Sequence, residues 1–371
     1  MRSPLPAAAA LAALMIAAVP SFAQDPAPAA PKAPPVDPPS VRWSLPSWMP
    51  IVDIEPGLDV IAAYAVKVTP GEGAAPTEWF HAFEMSRAMP SLRVTAGPAA
   101  AAVTLEGVYS ASEGALVGVA GDSFLIRVRE ARAGFRYKTW VAVDAGIVPT
   151  FTVPLLDGAF GLRALGPVSG ELTGFTAPAD LGIVAKVSLP AGYGFIGAGA
   201  YNGEGYTNRE LNRGKNVEVA ALFHPMPRGV LAPLGIYGAY VNGSSGTGSA
   251  RADRVTAALV WQSERVRGGA AFTYAMGVRD DGSREAASID WSLRGEPIER
   301  FILGARGLVY LRDVRASDDR IVSVTGLAGY RVAPPLEAFL ALTRQLAEPA
   351  TRSALPGSDF WEGRVAARFL F

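Results

Sequence analysis

From Leu58 onward the chain alternates apolar and polar positions in segments separated by turn-rich stretches. Ala287, Ile289, Trp291 and Leu293 alternate with Ser288, Asp290, Ser292 and Arg294. Val255, Ala257, Leu259 and Trp261 alternate with Arg254, Thr256, Ala258 and Gln262. The same holds for Val266 to Met276 against Arg267 to Ala275, and for Phe301 to Val309 against Ile302 to Tyr310. A period of two is the signature of a β-strand, because successive side chains leave opposite faces of the sheet. The pattern predicts strands over 58–68, 79–97, 99–109, 123–135, 138–148, 180–189, 193–202, 215–225, 234–242, 252–262, 265–277, 285–294, 299–311, 320–332, 335–346 and 360–371. Pro90, inside the long second segment, marks a bulge or break.

Alternation alone fits a soluble sheet with one wet face as well as a membrane barrel with one face on lipid. Two observations decide. Gly and Ala are common on both faces, whereas a sandwich core needs bulk on its buried face. The connections also alternate in length. TPGEGAAPTE, SASEGALVGVAGD, residues 149–179, GEGYTNRELNRG and GSSGTGSAR are long; AGP, the step at 136–137, PAGY, SE, GEPI and AP are short, with HPMPRGVLAP the one untidy case. Long loops on one side and short turns on the other are a property of outer-membrane barrels. The expected fold is therefore all-β: a closed transmembrane antiparallel barrel of about 16 strands, in contact with outer-membrane lipid. Lipid forbids an open sheet edge, which would leave unpaired backbone groups in hydrocarbon. A barrel of this size encloses water.

The final segment WEGRVAARFLF sets Trp361, Val365, Phe369 and Phe371 against Glu362, Arg364, Arg368 and Leu370. A terminal Phe with aromatics at alternate positions is similar to the signal read by the barrel-assembly machinery, and Phe369 and Phe371 are the residues that carry it.

The start of the chain reads differently. MRSPLPAAAALAALMIAAVPSFAQ has a positive start, an apolar run from Ala7 to Val19 and small residues at Ser21 and Ala23. This is the layout of a signal peptide cleaved after Ala23, giving 1–23 as leader and an exported chain. Residues 24–57 are Pro-rich and read as a periplasmic linker, with Trp43 and Trp48 at the rim or membrane interface. The barrel occupies 58–371. The organisation implies the outer membrane of a Gram-negative cell.

Composition adds exclusions. Lys plus Arg equals Asp plus Glu, 34 each, so nothing in the net charge points to nucleic acid. There is no cysteine, which removes thiolate chemistry, disulfides and zinc–sulfur sites. His81 and His224 are the only histidines, and neither has a partner at metal spacing. The glycines from Gly197 lack the third Gly of a dinucleotide loop and lie in a strand. Asn242-Gly243-Ser244 is a formal sequon in a polar loop. No catalytic site and no cofactor are expected, and the chain reads as a non-enzyme.

The chemistry that remains is charge on the inner face. The strand phases place Lys67, Arg93, Arg127, Arg129, Lys186, Arg254, Arg267, Arg294, Arg306, Arg331, Arg364 and Arg368 toward the lumen, with Asp59, Glu106, Asp144, Glu218, Asp290, Glu337 and Glu362. An excess of base would favour anions. The alternative is that these groups neutralise one another as ion pairs along a weakly selective wall. Arg127 and Arg129, two apart on one face, are the best pair for an anion track; Arg163 and Glu171 in the long loop come next.

The stretches FHAFEMSRAMPSLRV, VREARAGFRYKTWVAVDAGIVPTF, ADLGIVAKV and GFIGAGAYNGEGYTNRELN together resemble the phosphate-selective porin O and P family. Asp144 to Phe151, Asp180 to Ile183 and Ala200 to Gly205 occupy the places of that family's motifs; Ala179 stands where it has Arg, and the loop 149–179 carries a single base, Arg163. The resemblance implies a homotrimeric porin whose third outer loop folds into the pore and narrows it. It implies passage of small hydrophilic solutes or anions, phosphate among them. A structural or adhesive barrel, with the loop as plug and the Pro-rich segment as tether, is the competing expectation.

Overall fold

The structure is a computed structural model that describes residues 41–42, 52–71, 76–109, 124–138, 140–207, 214–245, 249–278 and 281–371. The expected leader and most of the expected linker, with Trp43 and Trp48, lie outside these residues.

Sixteen antiparallel strands form the barrel: β1 Val52–Thr69, β2 Glu78–Ala96, β3 Ala99–Tyr109, β4 Phe124–Tyr137, β5 Val141–Pro149, β6 Ala179–Leu189, β7 Gly194–Tyr201 and β8 Asn216–Phe223 make one half. The other half is β9 Leu234–Asn242, β10 Asp253–Gln262, β11 Val266–Val278, β12 Asp281–Ile298, β13 Phe301–Leu311, β14 Arg320–Ala333, β15 Leu336–Ala347 and β16 Phe360–Leu370. Each strand pairs with its sequence neighbours, and β16 returns to pair with β1 from Trp361↔Val68 to Leu370↔Asp59. The ring is closed, so no edge is left unpaired. Phe371 finishes the seam: its N–H donates to Leu58 O and its carbonyl accepts from Leu58 N, both at 2.8 Å.

β1 begins at Val52, six residues inside the stretch read as linker, because Val52 to Gly57 pair with Ala96 to Ser91 of β2. The residues β1 gains are not proline-dense, and a paired neighbour extends it. Val41–Arg42 adds a short antiparallel pairing to Ile54 and Asp53. Most connection lengths alternate as expected: β2 to β3 is 97–98, β12 to β13 is 299–300 and β14 to β15 is 334–335, while β5 to β6 spans 150–178; the exceptions are 224–233, long on the short-turn side, and 279–280, short on the long-loop side.

The alternation is interrupted at bulges, and these change which residues face inward. In β2 the register slips between Arg87 and Met85, opposite Ile61 and Ala62, so the extra residue is Ser86 and not Pro90, which pairs with Leu58. Trp79, Phe83 and Met85 face outward above it, and Leu92 below it. In β4 the slip falls between Glu130 and Val128. Ile126 and Val128 face outward before it and Phe135 and Tyr137 after it. Arg127, Arg129, Arg132 and Arg136 therefore all reach the inside. One extra residue in a strand flips the phase of everything beyond it.

The outward face is an apolar belt that includes Leu259, Ile289, Leu293, Leu303, Leu340 and Val365, each about half exposed or more. No helix among the described residues is long and apolar enough to cross a membrane, which says nothing about strands.

A loop clasped inside a charged wall

The segment 150–178 leaves β5, enters the lumen and returns to β6. Its base is closed by Thr150, whose N–H donates to Pro178 O at 3.2 Å and whose Oγ1 donates to Ala177 O at 2.7 Å. Helix α1, Thr152–Phe160, follows at once. Val153, Leu156, Ala159 and Phe160 form its apolar face and bury it on Ala220, Leu222, Tyr237, Ala258, Val260 and Ala271 of β8 to β11. The helix stops at Gly161, whose φ of 62° is left-handed and which costs little because the residue is glycine. The chain then crosses to the opposite wall, where Leu162 and Ala164 pack on Ile302, Leu327, Phe339, Ala366, Ile61 and Ala63. A short helix α2, Ser169–Leu172, leads back, and Phe175 packs on Ala275, Val278 and Ala286. The loop is therefore a small core inside the barrel, touching wall on several sides.

Buried polar contacts fix it in place. Glu218, 2% exposed, accepts from Phe151 N–H at 3.1 Å, Thr152 Oγ1 at 3.2 Å and Tyr201 OH at 3.1 Å. Asp290, 0% exposed, accepts from Ser169 N–H at 2.8 Å and pairs with Arg306 at 3.1 Å. Arg306 also donates to Pro167 O at 2.5 Å, Arg294 to Gly161 O at 2.9 Å and Arg254 to Phe175 O at 3.1 Å. Gly197 serves the same end: a Cβ there would come within 2.4 Å of the Phe151 ring. That is why a glycine-rich stretch with no nucleotide to bind occurs at this point.

On its other side the loop faces β16, β1, β2, β3 and β4 through an alternating line of charge. Arg129 Nη1 lies 2.7 Å from Glu106 and 3.9 Å from Glu171; Arg163 Nη1 lies 2.7 Å from Glu171 and 3.7 Å from Asp157. Arg87 Nη1 lies 3.7 Å from the same Asp157 oxygen, Arg87 Nε 2.7 Å from Asp59, and Arg368 Nε 2.9 Å from Asp59. The eight groups, four of each sign, form a neutral chain across the lumen. Burial acts to lower the Arg163 pKa, but the bonds to Glu171 and the field of Asp157 outweigh it and raise it, so this guanidinium stays charged. Tyr206, carried in from the connection after β7, donates to Glu106 at 2.5 Å, and its ring lies 4.8 Å from the Arg127 guanidinium. Burial first, and then the bond to Glu106, push the Tyr206 phenol up to about 12.

The inward bases expected from sequence now have places. Arg127 and Arg129 both bind Glu106, so the proposed track is a shared ion-pair site. Arg331 pairs with Glu296 and Glu337, Arg294 with Glu337, Arg364 with Glu362 and Glu84, and Arg93 lies 3.6 Å from Glu55. Arg254 is 6% exposed and holds backbone carbonyls, which makes it an anchor of the loop. Lys67 lies over Phe360 and Lys186 over Phe195. Arg267 is exposed to the lumen beside Gly161. Mutual ion pairing thus describes most of the wall. The sequence reading did not single out Arg87 or Asp157, nor Arg132 and Arg136, which bind Asp144 at 2.9 and 2.8 Å. Arg87 shares the odd phase of Arg93 and was findable; Arg132 and Arg136 were hidden by the bulge. His81 bonds Tyr64 OH at 3.1 Å on the outer face, and His224 Nδ1 lies 2.9 Å from Leu234 O at a strand end.

Two cavities flank the loop at opposite ends of the barrel. At the long-loop end a cavity of about 360 Å³ is lined by Glu171, Asp180, Glu204 and Glu218, with Arg254. At the short-turn end one of about 700 Å³ is lined by Arg163, Arg265, Arg267, Arg294, Arg300, Arg331 and Arg368 and by five acids, among them Asp157, Glu296 and Glu337.

No known protein-family pattern matches the chain, and no curated relative matches it by sequence. Solved structures do. An anion-selective porin from Comamonas acidovorans superposes with a TM-score of 0.61 at 15% identity, covering 86% of this chain and 100% of that one. OmpF of Salmonella typhi gives 0.62 at 13% identity over 86% and 98%. The outer membrane channel DcaP of Acinetobacter baumannii gives 0.58 at 9% identity over 89% and 100%. The closed sixteen-strand ring is a fold it shares with these outer-membrane porins.

Proposed function

We propose that this chain is a passive outer-membrane channel for small hydrophilic solutes, with a weak preference for anions and no catalytic step. The observation that carries the reading is the division of the wall. Outside it is an apolar belt; inside it carries a line of ion pairs and is narrowed by a loop that covers the apolar patches of the inner wall. Water and ions need the second, and lipid the first. Long connections then face outward from the cell and short turns face the periplasm. The anion preference rests on the short-turn cavity, where seven arginines meet five carboxylates, and on Arg267 and Lys186, for which no acidic partner occurs among the described residues. It is weak because Arg163, Arg294, Arg331 and Arg368 are already held by carboxylates. A phosphate-dedicated site is not part of this proposal, since phosphate would have to displace those partners. A homotrimer fits the reading; the relevant oligomer is measured by mass in mild detergent.

A second reading has its own observation. The loop touches wall on both sides, which suits a plugged barrel with a structural role. Single-channel recording of refolded protein in a planar bilayer separates the two. Discrete steps, with a reversal potential under a KCl gradient displaced toward the anion side, are expected. Silence from protein verified as folded assigns the barrel to the structural role.

A further inference from the structure

The charge chain across the lumen is uneven. Its links inside the wall are short, 2.7 Å for Arg129–Glu106 and 2.7 Å for Arg87–Asp59, and so is the loop's own Arg163–Glu171 link at 2.7 Å. The two links that join loop to wall are long: 3.9 Å for Arg129–Glu171 and 3.7 Å for Arg87–Asp157. Beyond about 3.5 Å a contact is an attraction without a hydrogen bond. Arg87 Nε faces Asp59, but Nη1 is buried and makes no hydrogen bond, so this guanidinium has a donor to give. On its far side, by contrast, the loop is hydrogen-bonded to Glu218, Arg254 and Arg306. The loop is hydrogen-bonded along one wall and packs on β1 and β16 through Leu162 and Ala164; what joins it to Arg87 of β2 and Arg129 of β4 is charge attraction.

We infer that Asp157 and Glu171 are built-in stand-ins for a small carboxylate anion, and that such an anion opens the constriction by taking Arg87 and Arg129 from them. The inference rests on the channel reading above. What the two wall arginines face now is the carboxylate of a loop residue. A solute carboxylate offers the same planar pair of oxygens, which a guanidinium binds through two parallel N–H groups. The exchange leaves no charge stranded. Asp157 and Glu171 keep Arg163, Arg87 keeps Asp59 and Arg129 keeps Glu106. That matters because a buried charge stripped of its partner is costly. Chloride has one centre and no such edge. It screens the latch, as any salt does, but it does not replace the loop carboxylates group for group.

The test is single-channel recording with potassium acetate substituted stepwise for KCl at constant ionic strength, reading the fraction of time open. The wild-type fraction rises several-fold with acetate. The Asp157→Asn/Glu171→Gln variant, altered only in the loop and checked for folding by heat-modifiable mobility, is open in chloride already and indifferent to acetate. Arg87→Lys, which keeps the charge and loses the two-pronged donor, gives a blunted response to acetate relative to its own open fraction in chloride. Equal open fractions in the two salts, or an acetate response that survives in the double variant, overturn the inference and leave the channel intact. Silence in every form, the double variant included, overturns the channel reading itself.

Discussion

Glu218 and Phe151 stand 67 positions apart and are joined by one hydrogen bond, the Phe151 N–H donating to Glu218 Oε2 at 3.1 Å. The carboxylate also takes Thr152 and Tyr201, and Thr152 Oγ1 lies 3.0 Å from Tyr237 OH. One strand residue thus fixes the first turn of the lumen helix. Replacing it with Gln keeps the volume but turns one acceptor into a donor, facing donors already there. Leaving buried donors unmatched costs about 1–3 kcal/mol. Glu218→Gln is expected to lower the free energy of urea unfolding by that amount, seen as a lower midpoint, and to expose Arg163 to trypsin. A variant with an unchanged midpoint and an intact loop would show that the apolar face of α1 holds the helix unaided.

Asp290 and Arg306 make a different kind of anchor, because both members are charged and Asp290 is 0% exposed. Arg306→Ala leaves a buried carboxylate facing only the Ser169 N–H. The expected loss is about 3–5 kcal/mol, whereas Asp290→Leu/Arg306→Met recovers most of it. Urea unfolding of the single and double variants gives the coupling directly. A double variant as weak as Arg306→Ala would mean that the hydrogen bonds to the loop, and not the pair, carry the stability.

The outer face is open to the same kind of test. Leu340 is 61% exposed on β15 and, in a bilayer, meets lipid. Leu340→Arg is expected to cost about 2–4 kcal/mol in a lipid-dependent refolding assay. Thr343→Arg, three residues on, points into the lumen opposite Glu362. It should change ion selectivity and leave stability nearly untouched. Equal costs at the two positions would contradict the assigned faces.

These faces were legible in the sequence because the period of two survives over most strands. Every one of the sixteen predicted segments overlaps a barrel strand, and the best-read cases, from Val255, Val266 and Ala287, have the predicted side outward. The alternation fails where one extra residue enters, near Ser86 and at Arg129 and Glu130, since a bulge shifts phase without changing composition. The loop was legible only as an apolar, Gly-rich insertion. Its helix spans nine residues, and what holds it is a wall assembled from strands far away in sequence. Charge balance was the least legible feature. Arg127 and Arg129 look like an anion track when read alone. Glu106 lies 21 and 23 positions before them, and that it satisfies both follows only from register.

Tyr206 supplies a pH-dependent signature for the way the connection after β7 closes on the wall. An ordinary tyrosine titrates near 10. Here burial and the hydrogen bond to Glu106 push the phenol up to about 12, although Arg129 and Arg127 pull the other way. The raised value means that the folded protein favours the protonated phenol. Its contribution to stability is therefore complete below pH of about 10 and is lost as pH rises through about 12. Tyr206→Phe removes the donor and keeps the ring over Arg127. The difference in phenolate absorbance between wild type and variant isolates this one group. It should show a single titration displaced upward from the ordinary range, and the alkaline fall in stability should be shallower in the variant between those two limits. A difference spectrum that titrates at the ordinary value would place Tyr206 in solvent, and would detach that connection from Glu106 and its two arginines.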